Sequence, residues 1–141
     1  MKTYLYSAVL ILLAISMSGC AYKFVASDLE YIEFHEPTNI TEWRAGNYNK
    51  ITSLDFAGME SNGDYSDTDL NLLQDNITAL INKNKLQLGL YSRNESCSYS
   101  GFEPGYVEIR YKQGTIMIEE DPCNITATNR IYDDIRILLK L

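Results

Sequence analysis

Apolar side chains recur along this chain with two different periods, and the changes of period mark its elements. At residues 51–57, Thr52, Leu54 and Phe56 fall on one side with Ser53 and Asp55 on the other, the period-2 pattern of a half-buried strand. Residues 29–35 crowd Tyr31, Ile32 and Phe34 together and predict an earlier strand, ended by Glu36-Pro37. Between them, Pro37, Gly46 and several Asn residues predict a loop, with one helical turn around Glu42-Trp43-Arg44 that Gly46 stops. Residues 58–65 continue as a polar loop.

The period then changes to 3.6. Ser66 followed three residues later by Asp69 resembles a capping box, and Leu70, Leu73, Ile77, Leu80 and Ile81 form a single apolar stripe behind it. Lys83 and Lys85 lie at the far end, where cations complement the helix dipole. Leu86, Leu88 and Leu90 alternate with Gln87, Gly89 and Tyr91, which predicts another strand; residues 92–104 are polar and turn-rich. Residues 106–111 and 115–119 flank Lys112-Gln113-Gly114 and predict a β-hairpin in which Gly114 supplies a positive φ. Val107, Ile109 and Tyr111 from one arm, and Ile116 and Ile118 from the other, would face the core. Residues 128–140 place Ile131, Ile135, Leu138 and Leu139 on one face of a closing helix, with a strand over 135–139 as the competing reading. The order β, β, α, β, β, β, α predicts an α+β fold, a small antiparallel-rich sheet with two helices packed on one face.

The N-terminus follows neither period. One positive charge, Lys2, precedes an apolar core over residues 8–15, far short of the ~18–20 residues that span a bilayer. A short apolar run behind a basic residue and before small residues describes a cleaved secretory signal rather than a transmembrane helix. The run closes on Leu12-Leu13-Ala14-Ile15-Ser16-Met17-Ser18-Gly19-Cys20, which resembles the lipobox of bacterial lipoprotein precursors; Met17 stands where that family usually has Leu. The resemblance covers only the first twenty or so residues. It implies that Cys20 receives a diacylglycerol thioether and becomes the first residue of the mature protein. It also implies outer-membrane sorting, because Ala21 stands where Asp would commonly retain such a protein in the inner membrane. The expected organisation is a signal peptide at 1–19, a lipidated N-terminus and short tether at 20–27, and one domain at 28–141. The tether holds no Gly or Pro, so the domain should sit close to the bilayer, at the periplasmic face of the outer membrane.

Removal of residues 1–19 leaves 122 residues, enough for one modest domain. Lys2 leaves with the signal, so 11 basic residues face 19 acidic ones, a mature net charge of −8. That balance argues against nucleic acid as a partner and against an electrostatic grip on anionic lipid, leaving the acyl chains as the anchor. It suits a basic envelope or cell-wall protein. With Cys20 assigned to lipid, Cys97 and Cys123 remain, an even number in an exported protein, and are expected to form a disulfide.

Catalytic chemistry is sparse. His35 is the sole histidine and has the setting of an ordinary surface residue beside Glu36. No Gly-x-Ser-x-Gly, His-Glu-x-x-His or phosphate-binding glycine loop is present. Asp64, Asp67 and Asp69 invite a calcium reading, but the sixth and twelfth positions hold Asp69 and Asp75 counted from Asp64, or Leu72 and Thr78 counted from Asp67. Neither frame supplies the Gly and Glu that an EF-hand needs. Asn-x-Ser/Thr triplets at Asn39, Asn76, Asn94 and Asn124 read as chance in a bacterial chain. No metal and no cofactor is therefore expected. Eleven tyrosines stand out. Tyr91, Tyr99, Phe102 and Tyr106 gather around Cys97 with Arg93 and Arg110 close by, and Trp43 lies in the long loop; aromatics and Arg are enriched at protein–protein hot spots. The expectation is a non-enzymatic, lipid-anchored protein-binding or structural module. The alternative is a periplasmic inhibitor or immunity protein against a cationic cell-wall hydrolase or toxin. Oligomeric state is not legible.

Overall fold

The computed structural model describes residues 22–39, 50–91, 102–120 and 127–141. After a 3-10 turn at Ala26–Asp28, the elements run β1 (Leu29–His35), β2 (Thr38–Asn39), β3 (Ile51–Asp55), β4 (Glu60–Ser61), α1 (Asp67–Lys83), β5 (Gly89–Tyr91), β6 (Phe102–Glu103), β7 (Tyr106–Tyr111), β8 (Gly114–Glu119) and α2 (Ala127–Leu138). Six strands form one sheet in the order β4-β3-β1-β7-β8-β5, and β2 pairs with β6 in a separate two-stranded ladder. Every neighbouring pair is antiparallel except β5 and β8, which run parallel at the edge. The α+β class and the antiparallel-rich sheet with two helices on one face are therefore as the sequence predicts.

Alternation decides which face is covered. Ile32, Phe34, Leu54, Val107, Ile109, Ile116 and Ile118 are fully buried on one side of the sheet. The helices supply the opposing layer: Leu70, Ile77 and Ile81 from α1, and Ile131, Tyr132 and Ile135 from α2. Each such side chain contributes roughly 1.5–3 kcal/mol by leaving water. The two large polar members of this layer are satisfied: the Tyr132 hydroxyl donates to the His35 carbonyl at 3.0 Å, and Tyr111 Oη lies 3.1 Å from Thr78 Oγ1. Phe34 stacks on Tyr132 at 4.8 Å between centroids, which fixes α2 over the middle of the sheet.

The local chemistry follows the sequence at most boundaries. Ser66 and Asp69 form the reciprocal capping box at the start of α1. The β7–β8 hairpin turns through Lys112-Gln113, with Tyr111 opposite Gly114 and Gly114 at φ 147°. A Cβ there would meet Leu88 Cδ1 at 2.9 Å, the tip of an exposed side chain that can turn aside, so it is the positive φ that calls for glycine.

Three details differ from the sequence expectation. Leu86 is buried beneath the end of α1 rather than in a strand, and β5 begins only at Gly89. The polar loop after β3 contains β4. Asn62 builds it, its side chain accepting from Ser53 N at 2.9 Å and donating to the Ile51 carbonyl at 2.8 Å, so amide bonds replace the missing apolar alternation. The β2–β6 ladder lies in segments that read as loop. The C-terminal segment is a helix, as the leading reading has it, and its buried stripe also includes Tyr132.

The N-terminal segment is docked. Phe24 packs on Tyr111 at 4.4 Å between centroids, and the Asn82 side-chain amide holds its backbone from both sides, accepting from Phe24 N and donating to Phe24 O, each at 2.8 Å. Among the described residues no helix is long and apolar enough to cross a membrane.

Candidate functional site

The sheet face opposite the helices carries most of the chemistry. Register places its side chains in three rows across the strands. Nearest the hairpin turn are Asp55, Tyr31, Arg110 and Thr115; the middle row is Ser53, Glu33, Glu108, Met117 and Leu90; at the other end are Ile51, His35, Tyr106 and Glu119. These positions are half-buried or exposed while most of their neighbours along β1, β3, β7 and β8 are buried, as expected of a sheet covered on one side.

Glu33 is the hub. Its Oε2 accepts from the Tyr31 hydroxyl at 2.6 Å and its Oε1 lies 2.5 Å from His35 Nε2. The Tyr31 hydrogen bond, then that of His35, holds the Glu33 carboxyl below its ordinary value, so it is a fixed negative charge. Burial, and after it the bond to Glu33, pushes Tyr31 up to about 12, which keeps it a neutral donor. His35 stacks on Tyr106 with centroids 3.9 Å apart and planes 17° from parallel. Burial, with the nearby Glu33 and Glu108 charges adding to it, raises Tyr106 as well.

Glu108 lies directly across from Glu33 on β7. Like charges directly opposite destabilise a strand pair. Each has its own relief: Glu33 through Tyr31 and His35, and Glu108 through Arg110 Nη2 at 2.7 Å. The Arg110 guanidinium also sits 5.6 Å over the Tyr31 ring. A shallow depression of about 350 Å³, lined by Tyr31, Ser53, Asp55, Glu60, Ser61 and Asn62, borders this network on the β3 side. A carboxylate held low and hydrogen-bonded at both oxygens is a poor proton acceptor. The arrangement is better suited to presenting rigid negative charge between aromatic rings. Among the described residues no group of three or more His, Cys, Asp or Glu side chains could hold a metal ion.

The residues singled out from sequence fare differently. Tyr106 belongs to this face. Tyr91 does not: it pairs with Ile118 on the core side, packs against the core, and its hydroxyl accepts from Gln87 N at 2.8 Å. The two tyrosines therefore lie on opposite faces of the sheet. Cys20, Trp43, Arg93, Cys97, Tyr99 and Cys123, and with them the expected lipidation and bridge, lie outside the described residues, as does the Phe102 side chain. The Phe102 backbone pairs with Asn39. The sequence reading missed Tyr31, Glu33 and Glu108, named Arg110 only as a neighbour of the Cys97 cluster, and set His35 beside Glu36, whereas its partner is Glu33. Spacing of two residues along β1, Tyr31-Glu33-His35, was the signal that could have found them.

Comparison with protein-family models, with curated proteins and with solved structures finds no match for this chain.

Proposed function

We propose that this chain is a lipid-anchored bacterial envelope lipoprotein whose open sheet face binds a basic envelope or cell-wall protein without catalysing a reaction. The observation that carries the binding reading is the facing pair Glu33 and Glu108, framed by Tyr31 and Tyr106 on a face the helices leave uncovered. A lysine or arginine presented by a partner would be attracted to those two carboxylates alongside Arg110 and His35, and charge beside aromatic rings is the combination that concentrates binding energy in a few side chains. The mature charge of −8 supports rapid encounter with a cationic partner. Anchoring at Cys20 rests on the lipobox resemblance, and localisation at the periplasmic face of the outer membrane on Ala21.

One experiment addresses both halves. A photo-crosslinker at Thr115, on the open face, should trap a basic protein in intact cells, and the same group at Leu72, on the outer side of α1, should not. Glu33→Gln combined with Glu108→Gln should weaken trapping by an order of magnitude or more, about 2 kcal/mol for two charge-assisted contacts. Cys20→Ala should abolish acyl labelling and free the protein from the membrane fraction. Equal trapping at positions 72 and 115 sinks the binding reading, and unchanged labelling of the Cys20→Ala protein sinks the anchor. A second reading, inhibition of a cationic cell-wall hydrolase, draws on the same acidic face. It requires that the trapped protein be such a hydrolase and that the mature domain slow it.

A further inference from the structure

The acidic balance of the chain is not evenly spread. Near the point where the chain leads back to Cys20, four lysines gather. Lys23 precedes the docked Phe24; Lys83 and Lys85 flank the end of α1, whose Asn82 does the docking; and Lys112 sits in the hairpin turn. All four are exposed. Asp28, at the same end, is held by Lys112 Nζ at 3.3 Å and Gln113 Nε2 at 2.7 Å. Between these lysines the surface is apolar. Tyr22 is 46% exposed, Val25 55% and Leu88 44%, and a depression of about 310 Å³ lined by Tyr22, Phe24, Gln87, Leu88 and Gln113 opens among them.

We propose that this end of the domain is a membrane-apposition surface, in which Tyr22, Val25 and Leu88 rest at the interface of an anionic bilayer while Lys23, Lys83, Lys85 and Lys112 engage lipid phosphates. The inference builds on the lipoprotein reading. Cys20 is two residues from Tyr22, at most about 7 Å of extended chain, so lipid on that cysteine holds this end, and no other, against the headgroups. Charge complementarity then selects an anionic surface. Asp28 and Asp55 stand at this end, but Asp28 is already paired with Lys112, and the Glu33–Glu108 pair lies about 13 Å along β1 from Leu29, beyond a Debye length of about 8–10 Å. One lipid-modified residue plus a basic patch is a recognised two-part anchor.

Quenching tests it. Leu88→Trp and Ile51→Trp place a reporter at positions of matched exposure, 44% and 43%, at opposite ends of the sheet, with the native Trp43 common to both. The full-length protein, purified from membranes, is reconstituted into vesicles of phosphatidylcholine with about 30% phosphatidylglycerol, the anionic component that basic side chains attract. Lipid brominated near the headgroup should quench the Leu88→Trp variant about threefold more than the Ile51→Trp variant. Adding Lys85→Gln and Lys112→Gln should lower that quenching, since each lysine near an anionic surface favours the apposed state by roughly fivefold. Equal quenching at both positions would overturn the proposal, as would quenching indifferent to phosphatidylglycerol and to the two lysines. So would a blue-shifted, unquenched Leu88→Trp variant that is dimeric by light scattering, since the patch would then belong to a second copy. The mass of the N-terminal peptide reads the lipid on Cys20 separately, so a missing acyl group sinks the lipoprotein reading whatever the quenching shows.

Discussion

At position 105 a glycine is demanded by neighbouring oxygens. A Cβ there would run into the Tyr132 hydroxyl and come within 2.6 Å of the His35 carbonyl, the two atoms that bond to each other to hold α2 on the sheet. Gly105→Ala should therefore cost about 2–3 kcal/mol in urea denaturation, as overpacking and a strained buried hydrogen bond do elsewhere. In a Tyr132→Phe background the penalty should shrink, because the nearest obstructing atom is gone; an unchanged penalty would refute the steric account. Glu33 gives a second test at this scale. Its folded carboxyl titrates below the ordinary 4.5, so its contribution to stability is complete above that value and is lost as pH falls through the lower one. Wild type should thus exceed Glu33→Gln in stability near neutral pH, and the gap should close between about pH 5 and pH 3. With the side chain 29% exposed, screening keeps the effect modest.

Among the elements, both helices end in the same way. Leu86 N bonds to Ile81 O and Lys85 N to Asn82 O, while Leu141 N bonds to Arg136 O and Lys140 N to Ile137 O, each at 3.0–3.1 Å. That double pattern is a Schellman motif, and its left-handed position holds Lys85 at φ 54° and Lys140 at φ 56°. Glycine usually fills this place, since a Cβ is penalised there. Lys85→Gly and Lys140→Gly should each stabilise by about 0.5–1 kcal/mol, read as a higher denaturation midpoint with unchanged slope. The same substitution explains part of what sequence could and could not tell. The start of α1 was legible because Ser66 and Asp69 obey the capping rule; its end carried no glycine, and Leu86 was drawn into a strand. Hairpin β7–β8 was legible through Gly114 and clean alternation. The β4 strand was not, because its pairing rests on the Asn62 amide, and the parallel partner of β5 depends on a tertiary pairing that no local period encodes. On β1 the buried positions, Ile32 and Phe34, drew the eye, while the site lies on the residues between them.

Across the whole molecule, the observed hairpin register bears on the proposed Cys97–Cys123 bridge. Tyr106 lies opposite Glu119, so the segments leading out to both cysteines leave the same end of the sheet. A loop closed between those positions contributes roughly 3–4 kcal/mol in the chain-entropy picture. Reduction, or Cys97→Ala with Cys123→Ala, should lower stability by that order; two alkylatable thiols in the unreduced mature protein would show that the bridge does not form. The charge distribution belongs to this scale too. A sum of −7 over the whole sequence describes neither region: acids and aromatics line the open face, and lysines surround the N-terminal exit. That polarity was hidden in the sequence because Lys23, Lys83, Lys85 and Lys112 become neighbours only through the Asn82–Phe24 contact and the hairpin turn.

That contact also sets how the domain carries load. Five residues after Phe24 the chain enters β1, which lies inside the sheet with β3 on one side and β7 on the other. Tension applied through a lipid at Cys20, with the proposed partner gripping the open face around Glu33 and Glu108, would run along β1. The Asn82 clamp would meet it first. Behind the clamp, the hydrogen bonds of both ladders would resist together in shear rather than yielding one at a time, as they would if an edge strand were peeled. An anchor of the proposed kind, leading into the interior of the sheet, would let the small domain pass load from membrane to partner without unravelling from an edge.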